Sequence, residues 1–248
     1  NRYIKVLPPI ADASLVLNLD ASSRASYVGT GTTWYDLSGN NLNGTLVNGP
    51  TISGTGISAS ILFDGSNDYA ENTTLVTSLS GLSVSIWVYR TTNFDGGYRK
   101  IFVIGDAGNN VSVYLSQGPG PQIYFGIGTT SNQNGPGTNI TLPANVWHHL
   151  VGTWNGSVVR LYINGNLVNS NSSIGSICNS LNALIIGADI NNGNLYRFFN
   201  GKLDDIGIWN RALTEQEITN LYNGNICYQT VSVTDTLRIS TLAGFNTL

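Results

Sequence analysis

The stretch that decides the fold is VWHHLVGTWNGSVVRLYINGNLV, residues 146–168. It holds two runs of Val, Leu, Ile, Trp and Tyr, residue types that suit a pleated, half-buried surface. Each run ends in Asn-Gly, at 155–156 and at 164–165. Asn-Gly supplies the positive-φ pair that a two-residue hairpin turn requires. The segment therefore reads as three antiparallel strands. The same parity argument settles its two histidines, the only ones in the chain. Successive side chains on a strand point to opposite faces. His149 shares a face with Trp147 and Val151, and His148 with Val146 and Leu150. The pair cannot chelate one ion, and both histidines are expected to be packing residues.

Working outward, turn signals recur through the chain: Ser38-Gly39-Asn40, Asn43-Gly44, Asn48-Gly49-Pro50, Asp64-Gly65, Asp95-Gly96-Gly97 and Asn192-Gly193. Short β-branched and aromatic runs lie between them. Many short strands at even spacing predict an all-β protein, a two-sheet antiparallel β-sandwich. One short C-terminal helix is readable in LTEQEI, residues 213–218. Thr214 is its N-cap, Glu217 closes a capping box, and Leu213 can pack on Ile218. The helix should stop near Tyr222, before Asn223-Gly224. The domain is expected over residues 12–226, with a linker or leading strand at 1–11 and an extended tail, or the start of another module, at 227–248.

The chain has 248 residues, enough to bury a core without a metal or disulfide, and a formal net charge of −3. Its eleven Lys and Arg are scattered, with Arg99-Lys100 the only adjacent pair. That excludes an electrostatic footprint for nucleic acid. No run of eighteen apolar residues occurs, so no membrane helix is expected. With no Met and no leader, the chain reads as a processed product or a fragment. A weakly charged surface rich in Asn, Ser, Thr and Gly points outside the cell. Cys178 and Cys227, the only cysteines, are then expected to form one disulfide, with two unrelated buried thiols as the alternative.

Groups for catalysis are few. The three glutamates are Glu71, Glu215 and Glu217, and the last two lie in the helix. The paired carboxylates of a retaining glycosidase are absent, as are a nucleophile elbow and a phosphate loop. No catalytic residue is assigned, although a Tyr/His lyase would leave no signature. Two acidic clusters could offer hard oxygens to Ca²⁺. One is Asp64 and Asp68 in FDGSNDYAE, the other Asp204 and Asp205 in GKLDDIGIW. An aspartate that caps its own turn is the alternative for Asp64. Candidate sugar-stacking aromatics are Tyr27, Trp34, Tyr35, Phe94, Tyr98, Tyr196, Phe198 and Phe199, of which Tyr98, Tyr196 and Phe198 are carried forward.

Four segments, in order, complete the reading: ILFDGSNDYAE (61–71), LSVSIWVYR (82–90), the histidine hairpin (146–168) and LIIGADI followed by FFNGKLDDIGIWNRALTEQEITNLYNG (184–224). Together they resemble the laminin-G-like, concanavalin A-like jelly-roll domains. The resemblance implies a jelly roll with frequent Ca²⁺ binding, and a Trp-His-His strand that serves folding. It puts Asp64, Asp204 and Asp205 at the acidic motif positions. The opening stretch 15–50 resembles domains of bacterial surface and phage proteins. The segment from NGNICYQT onward resembles the tail of type IX secretion substrates. The expected function is a non-catalytic extracellular carbohydrate-binding or adhesion module of a larger protein at a bacterial cell surface. Its partners would be a glycan or a surface protein, and neighbouring domains of the parent chain. The alternatives are an assembly or decoration domain of a surface filament, secretion substrate or virion, and a polysaccharide-active enzyme.

Overall fold

The computed structural model describes residues 12–75, 81–91, 97–105, 113–118, 122–128, 133–134, 142–172, 183–191 and 193–224. The strands are, in chain order, β1 (Leu15–Leu19), β2 (Thr33–Trp34), β3 (Gly44–Val47), β4 (Thr51–Ser53), β5 (Ser60–Asp64), β6 (Tyr69–Asn72), β7 (Leu82–Arg90), β8 (Arg99–Ile104) and β9 (Val113–Gln117). They continue as β10 (Ile123–Gly128), β11 (Gln133–Asn134), β12 (Trp147–Trp154), β13 (Val159–Ile163), β14 (Asn166–Asn171), β15 (Leu184–Ile186), β16 (Asp189–Asn191), β17 (Asn194–Tyr196) and β18 (Asn200–Trp209). Helix α1 spans Glu215–Asn223.

Two antiparallel sheets form the expected sandwich. Sheet I runs β14-β13-β12-β7-β18-β5-β4, with β1 also paired to β18; sheet II runs β11-β10-β9-β8-β15-β6-β3-β2. The hairpin β16–β17 stands apart as a third, two-stranded unit. Alternate residues of both sheets meet in one core that includes Val84, Ile86, Leu150, Leu161, Phe125, Ile104 and Ile208. The sheets come close at Gly152, where a Cβ would run into the Phe125 ring from the opposite sheet.

The histidine hairpin follows the sequence pattern with one difference. Asn164-Gly165 is a two-residue turn with φ of 52° and 79°, closed by Ile163 opposite Asn166. The first Asn-Gly is not. Trp154 pairs with Val159, leaving a four-residue loop. Asn155 spends its side chain there, accepting from the N–H groups of Ser157 and Val158 at 3.1 and 2.8 Å. An Asx turn has replaced the tight turn.

The C-terminal signal is also borne out. Thr214 accepts from the Glu217 N–H, Glu217 accepts from the Thr214 N–H at 2.8 Å, and Gly224 ends the helix in the left-handed region at φ 61°. Glu217 has a second role that the capping pattern does not reveal. It also takes Arg211, at 2.7 and 2.8 Å, and the same guanidinium reaches Asp12 at 2.8 Å. The NRAL turn thus ties the end of β18, the start of α1 and the beginning of the described chain together. The helix lies on the outer face of sheet I, where Ile218 and Leu213 cover Val151, Tyr162 and Trp209.

The parity argument for the histidines holds. His148 turns inward beside Leu150, and His149 outward under the helix. His149 lies 5.1 Å from the Trp87 ring, which stacks on Tyr222 of α1 at 5.8 Å. Neither residue could ligate an ion with the other. Cys178, Cys227, Phe94 and the segments 1–11 and 227–248 lie outside the described residues.

Candidate functional site

Two places gather polar side chains. The first is a seam in sheet I. Strand β18 pairs with β5 along Asn200–Leu203 and with β1 along Ile206–Trp209, on the same edge. The exchange of neighbours falls at Asp204-Asp205, where the β18–β7 register shifts and Asp205 takes a left-handed backbone, φ 51°. Asp20 follows β1 directly and enters the same seam. Carboxylate oxygens of Asp20, Asp204 and Asp205 lie within 4.8 Å of one another. Asp204 accepts from the Ala21 N–H at 2.8 Å, and Asp20 from the N–H and hydroxyl of Ser22 at 2.8 and 2.6 Å.

Three converging carboxylates repel unless a cation, protons or donors offset them. Hard oxygens from a turn and a bulge are the donor set that Ca²⁺ takes. The three aspartates therefore fit the ion that the family resemblance implies, and they are the residues that would hold it. Asp20 was not a candidate from the sequence. Its one signal is the run LDASS, an aspartate followed by residues that build an Asx turn.

Asp64 and Asp68 are not part of this group. Asp64 pairs with Asn200, four residues before Asp204, which at about 3.3 Å per residue is roughly 13 Å along the strand. The β5–β6 turn uses its own carboxylates. Asp64 accepts from Ser66 N–H at 2.7 Å, and Asp68 from Asp64 N–H at 3.1 Å. The Ser66 N–H and the other turn amides hold the Asp64 carboxyl below its ordinary pKa, whereas burial, with Asp64 nearby, raises that of Asp68. Gly65 is obligatory here: φ is 79° and a Cβ would sit 2.7 Å from the Asn200 side chain. The turn reading of FDGSNDY is the one the hydrogen bonds support.

The second place is the outer face of sheet II. Hairpin β16–β17 folds back over β8 and β9, with Ile190 against Val103 and Tyr114. Around it stand Tyr98, Tyr124, Tyr196 and Arg197. The Tyr98 and Tyr124 rings are 6.4 Å apart, and the Arg197 guanidinium lies 5.5 Å from Tyr98 and 4.9 Å from Tyr196. Arg197 has a left-handed backbone, φ 55°, and its guanidinium is 3.2 Å from the buried Asp189 carboxylate. Beneath them, register places Lys100, Ser116 and Tyr124 in one row across three strands. Lys100 and Ser116 are buried. The Lys100 ammonium lies 4.1 Å over the Tyr114 ring. Burial lowers the Lys100 pKa, opposed by the Asp189 charge, and raises the Tyr114 phenol to about 12. Two glycines make the room: a Cβ at Gly126 would strike the Tyr114 ring, and one at Gly118 would come within 2.7 Å of Tyr124.

The structure thus brings Tyr98 and Tyr196 together through Arg197. Phe198 makes no ring contact with them among the described residues. Tyr27, Trp34 and Phe199 are core residues, and Tyr35 is exposed. Tyr124, Lys100 and Arg197 were missed, because only the folded-back hairpin brings them together.

One further pair deserves chemical scrutiny. Ser85 Oγ and His149 Nε2 share a hydrogen bond of 2.8 Å. Both residues are buried, and among the described residues His149 Nδ1 has no hydrogen-bond partner. A serine nucleophile needs an open face and a group orienting the imidazole, and this pair has neither. Burial alone pushes the imidazole down to about 3.

Among solved structures, domain 4 of an extracellular arabinanase from Geobacillus stearothermophilus, in complex with arabinotriose, is 20% identical with a TM-score of 0.67, covering 84% of this chain and 98% of that one. The receptor-binding domain of the botulinum neurotoxin C/D mosaic serotype is 17% identical with a TM-score of 0.68, covering 88% of this chain and 52% of that one. The serotype D ligand-binding domain in complex with N-acetylneuraminic acid is 16% identical with a TM-score of 0.67, covering 86% and 52%. The chain therefore spans about half the length of the toxin domains it matches. No curated protein matches the sequence. No helix among the described residues is long and apolar enough to cross a membrane. The family profile described as the concanavalin A-like lectin/glucanases superfamily matches residues 64–219. With the two-sheet topology and the motif order, this makes the chain a member of that superfamily.

Proposed function

We propose that this domain is a non-catalytic glycan-binding module that works outside the cell as part of a larger protein, and that it binds through the outer face of sheet II. One observation carries the reading. Tyr98 and Tyr196 flank Arg197, with Tyr124 beside Tyr98, and Lys100, Asp189 and Ser116 lie buried on the same face. Sugar recognition asks for this combination: flat rings for the C–H faces and a few fixed polar groups for the hydroxyls. The arabinotriose complex of the arabinanase domain supports it. The buried Ser85–His149 pair, with no orienting partner on Nδ1 among the described residues, supports the non-catalytic half.

The test is electrophoresis of the chain through native gels cast with soluble polysaccharides, beside a Tyr98→Ala/Tyr196→Ala variant. Retardation by at least one polysaccharide, lost in the variant at unchanged melting temperature, is expected. Free migration in every gel would refute the proposal and favour an assembly or adhesion role through protein contacts. Release of reducing ends from any of them would refute the non-catalytic part.

A further inference from the structure

We propose that the outer face of sheet II selects sugars that carry a carboxylate or sulfate, with Lys100 as the anion's partner and Arg197 as a second donor at the edge of the group. This rests on reading that face as the glycan-binding one. Lys100 is 4% exposed, yet its ammonium makes no ion pair or hydrogen bond among the described residues. It lies over the Tyr114 ring. The adjacent carboxylate, Asp189, is engaged by Arg197. Lys100 and Arg197 against Asp189 leave one positive charge in excess, in a chain whose net charge is −3.

A buried ammonium whose neighbouring carboxylate, Asp189, is shared with the Arg197 guanidinium is costly, and an aliphatic residue would fill the same space on the sheet more cheaply. The cost is offset when a ligand brings a further anion, because a charge-assisted bond at a partly dehydrated site is about twice as strong as a neutral one. Arg197 is placed to join it. Its left-handed backbone turns the guanidinium across the faces of Tyr98 and Tyr196, and its side chain is 42% exposed. A sugar ring resting on the tyrosines would bring a ring carboxylate or sulfate toward Lys100. Both anions offer the same chemistry to the ammonium.

The experiment is an array of neutral glycans printed beside their uronic-acid, sialylated and sulfated counterparts, probed with the chain and with Lys100→Met, Lys100→Arg and Arg197→Gln. The acidic members are expected to be retained over their neutral partners. Which anion wins distinguishes carboxylate from sulfate. For the best hit in solution, Lys100→Met should weaken binding about tenfold or more, Lys100→Arg should restore most of it, and added salt should weaken the wild type. If Lys100→Met fails to fold, Arg197→Gln at the edge of the group carries the same comparison. Equal retention of neutral and acidic partners, or acidic binding unmoved by both substitutions, overturns the anion assignment and leaves the glycan reading standing. A blank array overturns both.

Discussion

His149 makes the stability of this domain depend on pH in a range where most of its acids are already ionised. The imidazole is 1% exposed, enclosed by Trp87 and Tyr222, with Ser85 on Nε2. Burial pushes its pKa from 6.5 to about 3. The unfolded chain accepts the proton near the ordinary value, whereas the folded chain refuses it until about pH 3. Between those limits the unfolded state binds more protons, so stability falls as pH falls. Each pH unit is worth about 1.36 kcal/mol. The slope develops only below the unfolded pKa, so from pH 7.5 to 5 the loss is about 2 kcal/mol from His149 alone. Burial also lowers the pKa of His148, which adds in the same direction. Urea unfolding followed by tryptophan fluorescence at pH 7.5, 6 and 5 reads the effect. His149→Gln offers Ser85 a neutral partner, and it should remove the His149 share of the slope, whatever its own stability. A wild type equally stable at pH 7.5 and 5, or an undiminished slope in His149→Gln, would refute the reasoning.

Thr214→Ala removes the N-cap oxygen of α1 and should cost about 1 kcal/mol in urea unfolding, with no change in m; an unchanged midpoint would show that the Arg211–Glu217 pair holds the helix start unaided. Gly152→Ala drives a methyl into Phe125 and should destabilise by about 1–3 kcal/mol; a neutral result would mean that the two sheets separate freely there. Ca²⁺ should raise the melting temperature of the wild type, a chelator should reverse it, and Asp204→Asn should abolish the increment while Asp64→Asn retains it. An unmoved melting temperature would leave the three aspartates to their hydrogen bonds alone.

Local patterns read well from the sequence because their physics is local. The capping box, the Asn164-Gly165 turn and the opposite facing of His148 and His149 each need only a few consecutive residues. The first Asn-Gly was misread because Asn155 had a competing use for its side chain, which dipeptide identity does not reveal. The sites were less legible for a different reason. Ala21 and Asp204 are hydrogen-bonded across 183 positions, and only the partner exchange along β18 explains why Asp20 arrives beside them. Asp64 sits at a family motif position by resemblance, and here its Oδ1 accepts from the turn amides of Ser66 and Asn67. On sheet II, Tyr98 and Tyr196 could be chosen as aromatics outside strand centres. Nothing in their spacing disclosed Lys100 or Tyr124, which reach the same face through cross-strand register. Phe198 was chosen on the same grounds as Tyr196, two residues away. It joins none of that face's ring contacts.

The exchange of neighbours along β18 also governs when the domain can form. Strand β18 is flanked on one side by β7 and on the other by β5 and then β1. Sheet I therefore cannot close until residues 200–209, near the end of the described chain, have been made. A ribosome adding about 5–20 residues per second would take some ten seconds or more to pass from β1 to the end of β18. Pairing at such long separation is slow, since loop closure precedes any reward from contacts. The nascent chain would meanwhile expose the edges of β7 and β1 to any other strand.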